Sequence, residues 1–171
     1  MFLQEINEKY RDAVNQILWE EWYCPPSISK GKIIDTTTLP GLLSIEGEKI
    51  KGVITYHFEN DECEIVTLNS FEEMKGIGTA LINGVLNIAR INNCRRLWLI
   101  TTNDDINAIG FYQKRGFDLK AVYINAMENS RRLKPSIPLI GMNQIPIKHE
   151  LEFEILLYRE NYYNNEVLGR L

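Results

Sequence analysis

The sequence predicts a mixed α/β (α+β) fold with helices flanking a sheet, and three observations carry that expectation. Apolar side chains recur at spacings of three and four over residues 5–23 and again over 76–93, as in amphipathic helices. Between these stretches, short runs of Leu, Ile and Val are broken by Gly and Asn turns, as in a meander of strands. After residue 93, strand-like and helix-like segments alternate, so helices and sheet interleave instead of forming separate blocks.

Each element has its own justification. Ile6, Tyr10, Val14, Ile17, Leu18 and Trp22 form the stripe of the first helix, over residues 5–23, and Pro25-Pro26 ends it. Residues 42–45 and 50–58 read as strands joined by Glu46-Gly47-Glu48-Lys49, with Gly47 free to take a positive φ. Glu59-Asn60-Asp61 turns the chain into a third strand over residues 62–68. Ile77, Leu81, Val85, Ile88 and Ile91 then mark a helix that runs to about Asn93, followed by a strand over residues 96–101. A further helix over residues 105–115 starts on Asp105 as a cap and stops at Gly116, and residues 117–125 return as a strand. Residues 127–149 contain Pro135, Pro138, Gly141 and Pro146 and read as a long surface loop, before a last strand over residues 151–157.

Composition narrows the class. A chain of 171 residues, 44% hydrophobic and 25% charged, suits one domain spanning residues 1–171. The longest apolar stretches, such as Leu97-Trp98-Leu99-Ile100, fall far short of the about 18 residues that suggest a membrane span. Acids at Glu5 and Glu8 stand where a secretory signal needs a basic start and an apolar core, so a cytoplasmic protein is expected. Cys24, Cys63 and Cys94 have no C-x-x-C spacing and read as small apolar fillers, with no metal site or disulfide framework implied. A net charge of −4 argues against a nucleic-acid partner. Basic residues nevertheless gather between Lys75 and Lys120, where an anion would be welcome.

The most informative segment is the turn Glu73-Met74-Lys75-Gly76-Ile77-Gly78-Thr79-Ala80, which leads from a strand into a helix that begins on glycines. A helix start leaves about four N–H groups unpaired and carries about half a positive charge, so it binds phosphate without a basic side chain. Gly76 and Gly78 let a phosphate approach the backbone. A P-loop is excluded because no G-x-x-x-x-G-K-[ST] occurs, and a dinucleotide fingerprint because Leu81 stands at its third glycine.

This segment resembles the Gcn5-related N-acetyltransferase (GNAT) superfamily, whose signature is [Q/R]-x-x-G-x-[G/A] after the fourth strand. Here Glu73 stands where that family has Gln or Arg. The run Asp105-Ile106-Asn107-Ala108-Ile109-Gly110-Phe111-Tyr112-Gln113-Lys114-Arg115-Gly116-Phe117 is similar to the family's later motif, N-x-x-A-x-x-[FL]-Y-x-[KR]-x-G-F, with Asp105 replacing the leading Asn. The two motifs stand in the family's order.

The resemblance implies a mixed, mostly antiparallel sheet of six to seven strands with splayed fourth and fifth strands, and acetyl-CoA as cosubstrate with no metal. It implies cofactor contacts from Val66, Leu68, Glu73, Met74, Lys75, Gly76, Ile77, Gly78, Thr79, Ala80, Phe111, Tyr112 and Lys114, with Asn103 or Asn107 substituting for the lost amide at Asp105. Tyr112 would protonate the leaving thiolate, and a backbone N–H near Leu68 would polarise the thioester carbonyl. A homodimer is common in such folds. The expected reaction is acetyl transfer to a primary amine by direct attack, and the alternative is a non-catalytic CoA sensor.

Attack needs a neutral amine, hence a base. Glu62 and Glu64, two apart on one strand, point to one face and are the candidates, with exposed charges on the sheet as the competing reading. Cys63 has no activating neighbour in sequence, and His57 and His149 are assigned to packing. Trp19, Trp22 and Tyr23, with Glu150 and Glu152, have the chemistry of a cation pocket, but core aromatics and a polar strand face are the preferred reading. The acceptor itself is not legible.

Overall fold

The computed structural model describes residues 2–21, 26–72 and 74–157. In chain order its elements are β1 (Phe2–Glu5), α1 (Glu8–Glu21), β2 (Ser27–Ser29), β3 (Lys32–Ile34), β4 (Gly41–Glu46), β5 (Lys49–Glu59), β6 (Glu62–Ser70), α2 (Ile77–Ile91), β7 (Arg96–Thr102), α3 (Ile106–Gln113), β8 (Asp118–Tyr123), α4 (Ala126–Leu133) and β9 (Glu150–Leu156). Seven strands form one sheet in the order β1-β4-β5-β6-β7-β9-β8, and β2-β3 is a separate hairpin. Every neighbouring pair is antiparallel except β6 and β7, which run parallel.

The two faces of the sheet are covered differently. On one, α2 buries Ile77, Leu81, Ile82, Val85 and Ala89 in a core that includes Ile54, Ile65, Leu97, Leu99 and Phe153 from the strands and Tyr112 from α3. On the other, Val14 and Leu18 of α1 pack on Leu43 and Val53. Farther along that second face the covering is ionic. Arg96 holds Glu62 at 2.7 Å, Glu152 at 2.6 Å and Glu154 at 2.8 Å, while Lys30 holds Glu152 at 2.9 Å beneath the rings of Trp98 and Tyr123.

The feature that shapes the site lies in β6. Its register against β5 skips Val66, since Thr55 pairs with Thr67 and Tyr56 with Ile65. Pairing with β7 ends one residue earlier, at Ile65 opposite Leu99. A bulge bends its strand and increases the local twist, so β6 leaves β7 there and the sheet opens into a wedge. Because β2 and β3 precede the sheet's central strands, the splayed pair is β6 and β7 in this chain.

Several boundaries differ from the sequence expectation. The first helix begins at Glu8, because Phe2–Glu5 is drawn into pairing with β4. Trp22 and Tyr23 lie outside the described residues. The hairpin β2-β3 was unforeseen, although Lys30-Gly31 carries the two positive φ values, 49° and 74°, that a tight hairpin turn needs. The expected loop over residues 127–149 contains α4. That helix buries only Met127 and Ser130, too little for an apolar stripe to register, and Arg131 fixes it by donating to the carbonyls of Pro138 at 2.7 Å and Ile147 at 2.6 Å.

Candidate active site

The wedge between β6 and β7 is the mouth of a cleft of about 710 Å³ that reaches both faces of the sheet. Val66, Leu68, Ala108 and Tyr112 line it, and so do Glu64, Ser29, Asp104 and Glu150. Phe71 N–H donates to the Lys51 carbonyl at 3.0 Å, so strand alternation turns the backbone of Thr67 and Asn69 toward β5 and points the Leu68 N–H the opposite way, into the wedge.

At the head of α2 the first intrahelical bond runs from Ala80 N–H to the Gly76 carbonyl at 3.0 Å, leaving the N–H groups of Ile77, Gly78 and Thr79 ahead of it. Met74 and Gly76 both take positive φ, 59° and 74°, and such turns aim successive amides inward as an anion-binding concavity. A Cβ placed on Gly76 would meet nothing within 4 Å, so the approach to these amides is open. Gly78 has a different duty, because a Cβ there would come within 2.9 Å of Phe111 Cζ. It lets α2 close on α3. Arg115 secures the contact, stacking on Phe111 at 3.3 Å and donating from Nε to Thr79 Oγ1 at 2.9 Å. Lys75 and Lys114 are exposed near the same end, whereas Arg96 and Lys120 are spent on Glu154.

The residues of α3 divide. Asp105 caps the helix by accepting from Ala108 N–H at 2.9 Å. Asn107 is exposed on its first turn. Asn103 spends its amide on the chain before β9, donating to the Pro146 carbonyl at 3.0 Å and accepting from Lys148 and His149 N–H, each at 2.8 Å. Tyr112 sits in an aromatic cage of Phe111, Phe117 and Phe153, and burial pushes its phenol above the ordinary range. Glu73 lies outside the described residues.

The two glutamates of β6 share a face but not an environment. Glu62 is held by Arg95 and Arg96 and does not reach the cleft. Glu64 lines it, is 6% exposed, and accepts from Ser29 Oγ at 2.5 Å. Burial raises its carboxyl to about 7, with Ser29 pulling the other way. Of the aromatic and acidic set, Trp19 is exposed and Glu152 is held by Lys30, Arg96 and Tyr123, but Glu150 lines the cleft. Asp104 and Ser29 carry no sequence signal of their own. Asp104 is masked by the adjacent cap Asp105, and the place of Ser29 depends on the hairpin turn that follows it.

A helix start with open amides beside a splayed parallel pair agrees with comparison to known sequences. A family model described as "Acetyltransferase (GNAT) family" matches residues 9–117. The chain belongs to the GNAT acetyltransferase family. A relative within reach is the "Uncharacterized protein YxbD" of Bacillus subtilis (strain 168), 42% identical over 142 residues, which are 82% of this chain and 89% of that one. Among solved structures, an IAA acetyltransferase from Bacillus cereus ATCC 14579 superposes with a TM-score of 0.70 at 19% identity, covering 91% of this chain and 99% of the other. A Bacillus subtilis acetyltransferase in complex with CoA gives 0.65 at 17%, covering 91% and 98%. At those identities the likeness speaks for the GNAT fold alone. No described helix is long and apolar enough to cross a membrane.

Proposed function

We propose that the chain is an N-acetyltransferase, a single catalytic domain that passes the acetyl group of acetyl-CoA to a primary amine by direct attack in a ternary complex. One observation carries this reading. The cleft opened by the Val66 bulge joins the α2 side, where Leu68 and Tyr112 stand, to a buried carboxyl, Glu64, on the opposite face. An acyl donor and an acceptor entering from opposite faces would meet in the wedge.

The pyrophosphate would rest on the amides of Ile77 to Thr79, with Gly76 leaving the approach clear and Lys75, Lys114 and Asn107 at its margin. The pantetheine arm would follow Val66 and Leu68, taking strand-like hydrogen bonds from β6, and the Leu68 N–H would stabilise the oxyanion. Glu64 would accept the amine proton as the C–N bond forms. Its raised carboxyl is matched to that task, since a base near 7 is both ionised and basic enough at neutral pH. As the C–S bond breaks, Tyr112 would give its proton to the thiolate. Burial keeps the phenol protonated, and a thiolate forming in the same dry space also gains basicity.

Steady-state rates with both substrates varied, with products resolved by mass, test the reading. Intersecting lines and an acetylated amine are expected. Parallel lines would replace direct attack with an acyl-enzyme, and CoA binding without turnover of any amine would leave a CoA-binding module.

A further inference from the structure

Two buried acids in the cleft are not used by this mechanism. Glu150, 2% exposed, accepts from Ser130 Oγ through Oε1 at 3.1 Å and from the Lys30 backbone, while its Oε2 has no hydrogen-bond partner among the described residues. Asp104, 4% exposed, accepts from Met142 N–H through Oδ2 at 3.0 Å, and its Oδ1 likewise has none among the described residues. Both line the same cleft as Glu64. Leaving a buried carboxylate oxygen unpaired is costly, and native structures avoid it unless something else completes the site.

Charge tells what would complete it. Among the described lining residues, Glu21, Glu64, Asp104, Asp105 and Glu150 face one basic side chain, Lys134, which donates to the Pro26 carbonyl at 3.0 Å. The ammonium of Lys30 is bonded to Glu152, and its charge also acts on Glu64 and Glu150 without bonding either. The balance of the acceptor wall is therefore anionic, and the rest of it is apolar, from Ile28, Met127, Ile137 and Ile147.

Position fixes a second requirement. Ser29 Oγ bonds Glu64, and the backbone of the next residue, Lys30, bonds Glu150. Consecutive Cα atoms are 3.8 Å apart and each bond adds about 3 Å, so the two carboxyl groups lie on the order of 10 Å apart or less, within reach of a few methylene groups. The reacting amine must be neutral when it attacks, so it cannot also supply a cation for Glu150.

Resting on the acetyltransferase reading, we infer that the acceptor is a dicationic alkyl amine: one amine reacts beside Glu64, and a second ammonium, carried on a short apolar chain, is bound by Glu150. The chain between them passes Ile28 and Met127, which match methylene groups and give a lone ammonium nothing to hold. No new bond is made at the second amine, so its role is recognition.

Chain-matched acceptors test the inference: 1,4-diaminobutane against n-butylamine and 4-aminobutanol, and 1,6-diaminohexane against n-hexylamine, each with acetyl-CoA. The diamines should exceed their matched monoamines in kcat/KM by about tenfold or more, the value of one charge-assisted bond. In Glu150→Gln that ratio should fall toward one, mainly through a higher diamine KM. Equal turnover of monoamines and diamines by the parent enzyme would overturn the inference and leave the acetyltransferase reading intact. A diamine preference that survived this substitution would overturn the assignment to Glu150. If no amine were acetylated while CoA bound, both readings would fall together.

Discussion

The two walls of the cleft are built on opposite principles. The α2 and α3 wall offers backbone: amides at a helix start, a strand N–H at Leu68, and a glycine at 76 that keeps the approach open. The facing wall offers side chains, the buried carboxyls of Glu64, Asp104 and Glu150, each held by a residue from a distant segment. A backbone site is indifferent to most substitutions and suits a ligand that never changes. A side-chain site is reset by single substitutions, which would suit a ligand that differs from one protein to the next.

The largest expected effect tests the backbone wall. Gly76→Asp retains a residue type that tolerates positive φ, meets no steric obstacle, and places a negative charge at the amides proposed to bind the pyrophosphate. Calorimetry should detect no CoA binding by a variant whose circular dichroism matches the parent. Gly78 is a poorer probe, since any Cβ there also disturbs Phe111. Retained affinity in Gly76→Asp would remove the cradle from the head of α2.

Next come the two groups proposed to transfer protons, one from each wall. Glu64→Gln and Tyr112→Phe should each lower kcat by about 10²–10⁴-fold with little change in CoA affinity. Their pH signatures differ. With Glu64 as base the parent rate should rise through about pH 7, and that limb should vanish in Glu64→Gln. The linkage has the opposite sign for stability. A carboxyl raised from 4.5 to about 7 holds its proton longer when folded, so its contribution to stability declines as pH rises across that window, and Glu64→Gln should flatten the decline in thermal melts. A full-rate Phe variant would reduce Tyr112 to a packing residue.

The same contrast explains what the sequence disclosed. The amides of α2 lie within Gly76 to Ala80, and the cap at Asp105 reaches only to Ala108, so glycine spacing and helix-start chemistry were enough to find them. The sheet's splay followed from resemblance, but its cause, the bulge at Val66, has no local signature among β-branched neighbours. The facing wall was hidden for a physical reason. Ser29 meets Glu64 across 35 residues, Asp104 meets Met142 across 38, and Ser130 meets Glu150 across 20. Tertiary pairing chooses among many surface-like acids, and Glu62 and Glu64 read alike until Arg96 claims one and the hairpin β2-β3 covers the other.

The smallest expected effect tests that last point most sharply. Ser29→Ala removes the hydroxyl that donates to Glu64 at 2.5 Å and leaves the hairpin otherwise unchanged. Burial already raises the Glu64 carboxyl to about 7, and the Ser29 bond restrains the rise. A hydrogen bond to a charged group is worth about 1.5–3 kcal/mol, so its loss should move the rising limb of the kcat/KM profile upward by roughly one to two pH units. Well above that limb Glu64 is ionised in both proteins, and the rates should converge. A uniform loss of rate at every pH would mean that Ser29 only packs the hairpin. An unmoved limb would mean that the ionisation controlling the rate belongs to a group other than Glu64.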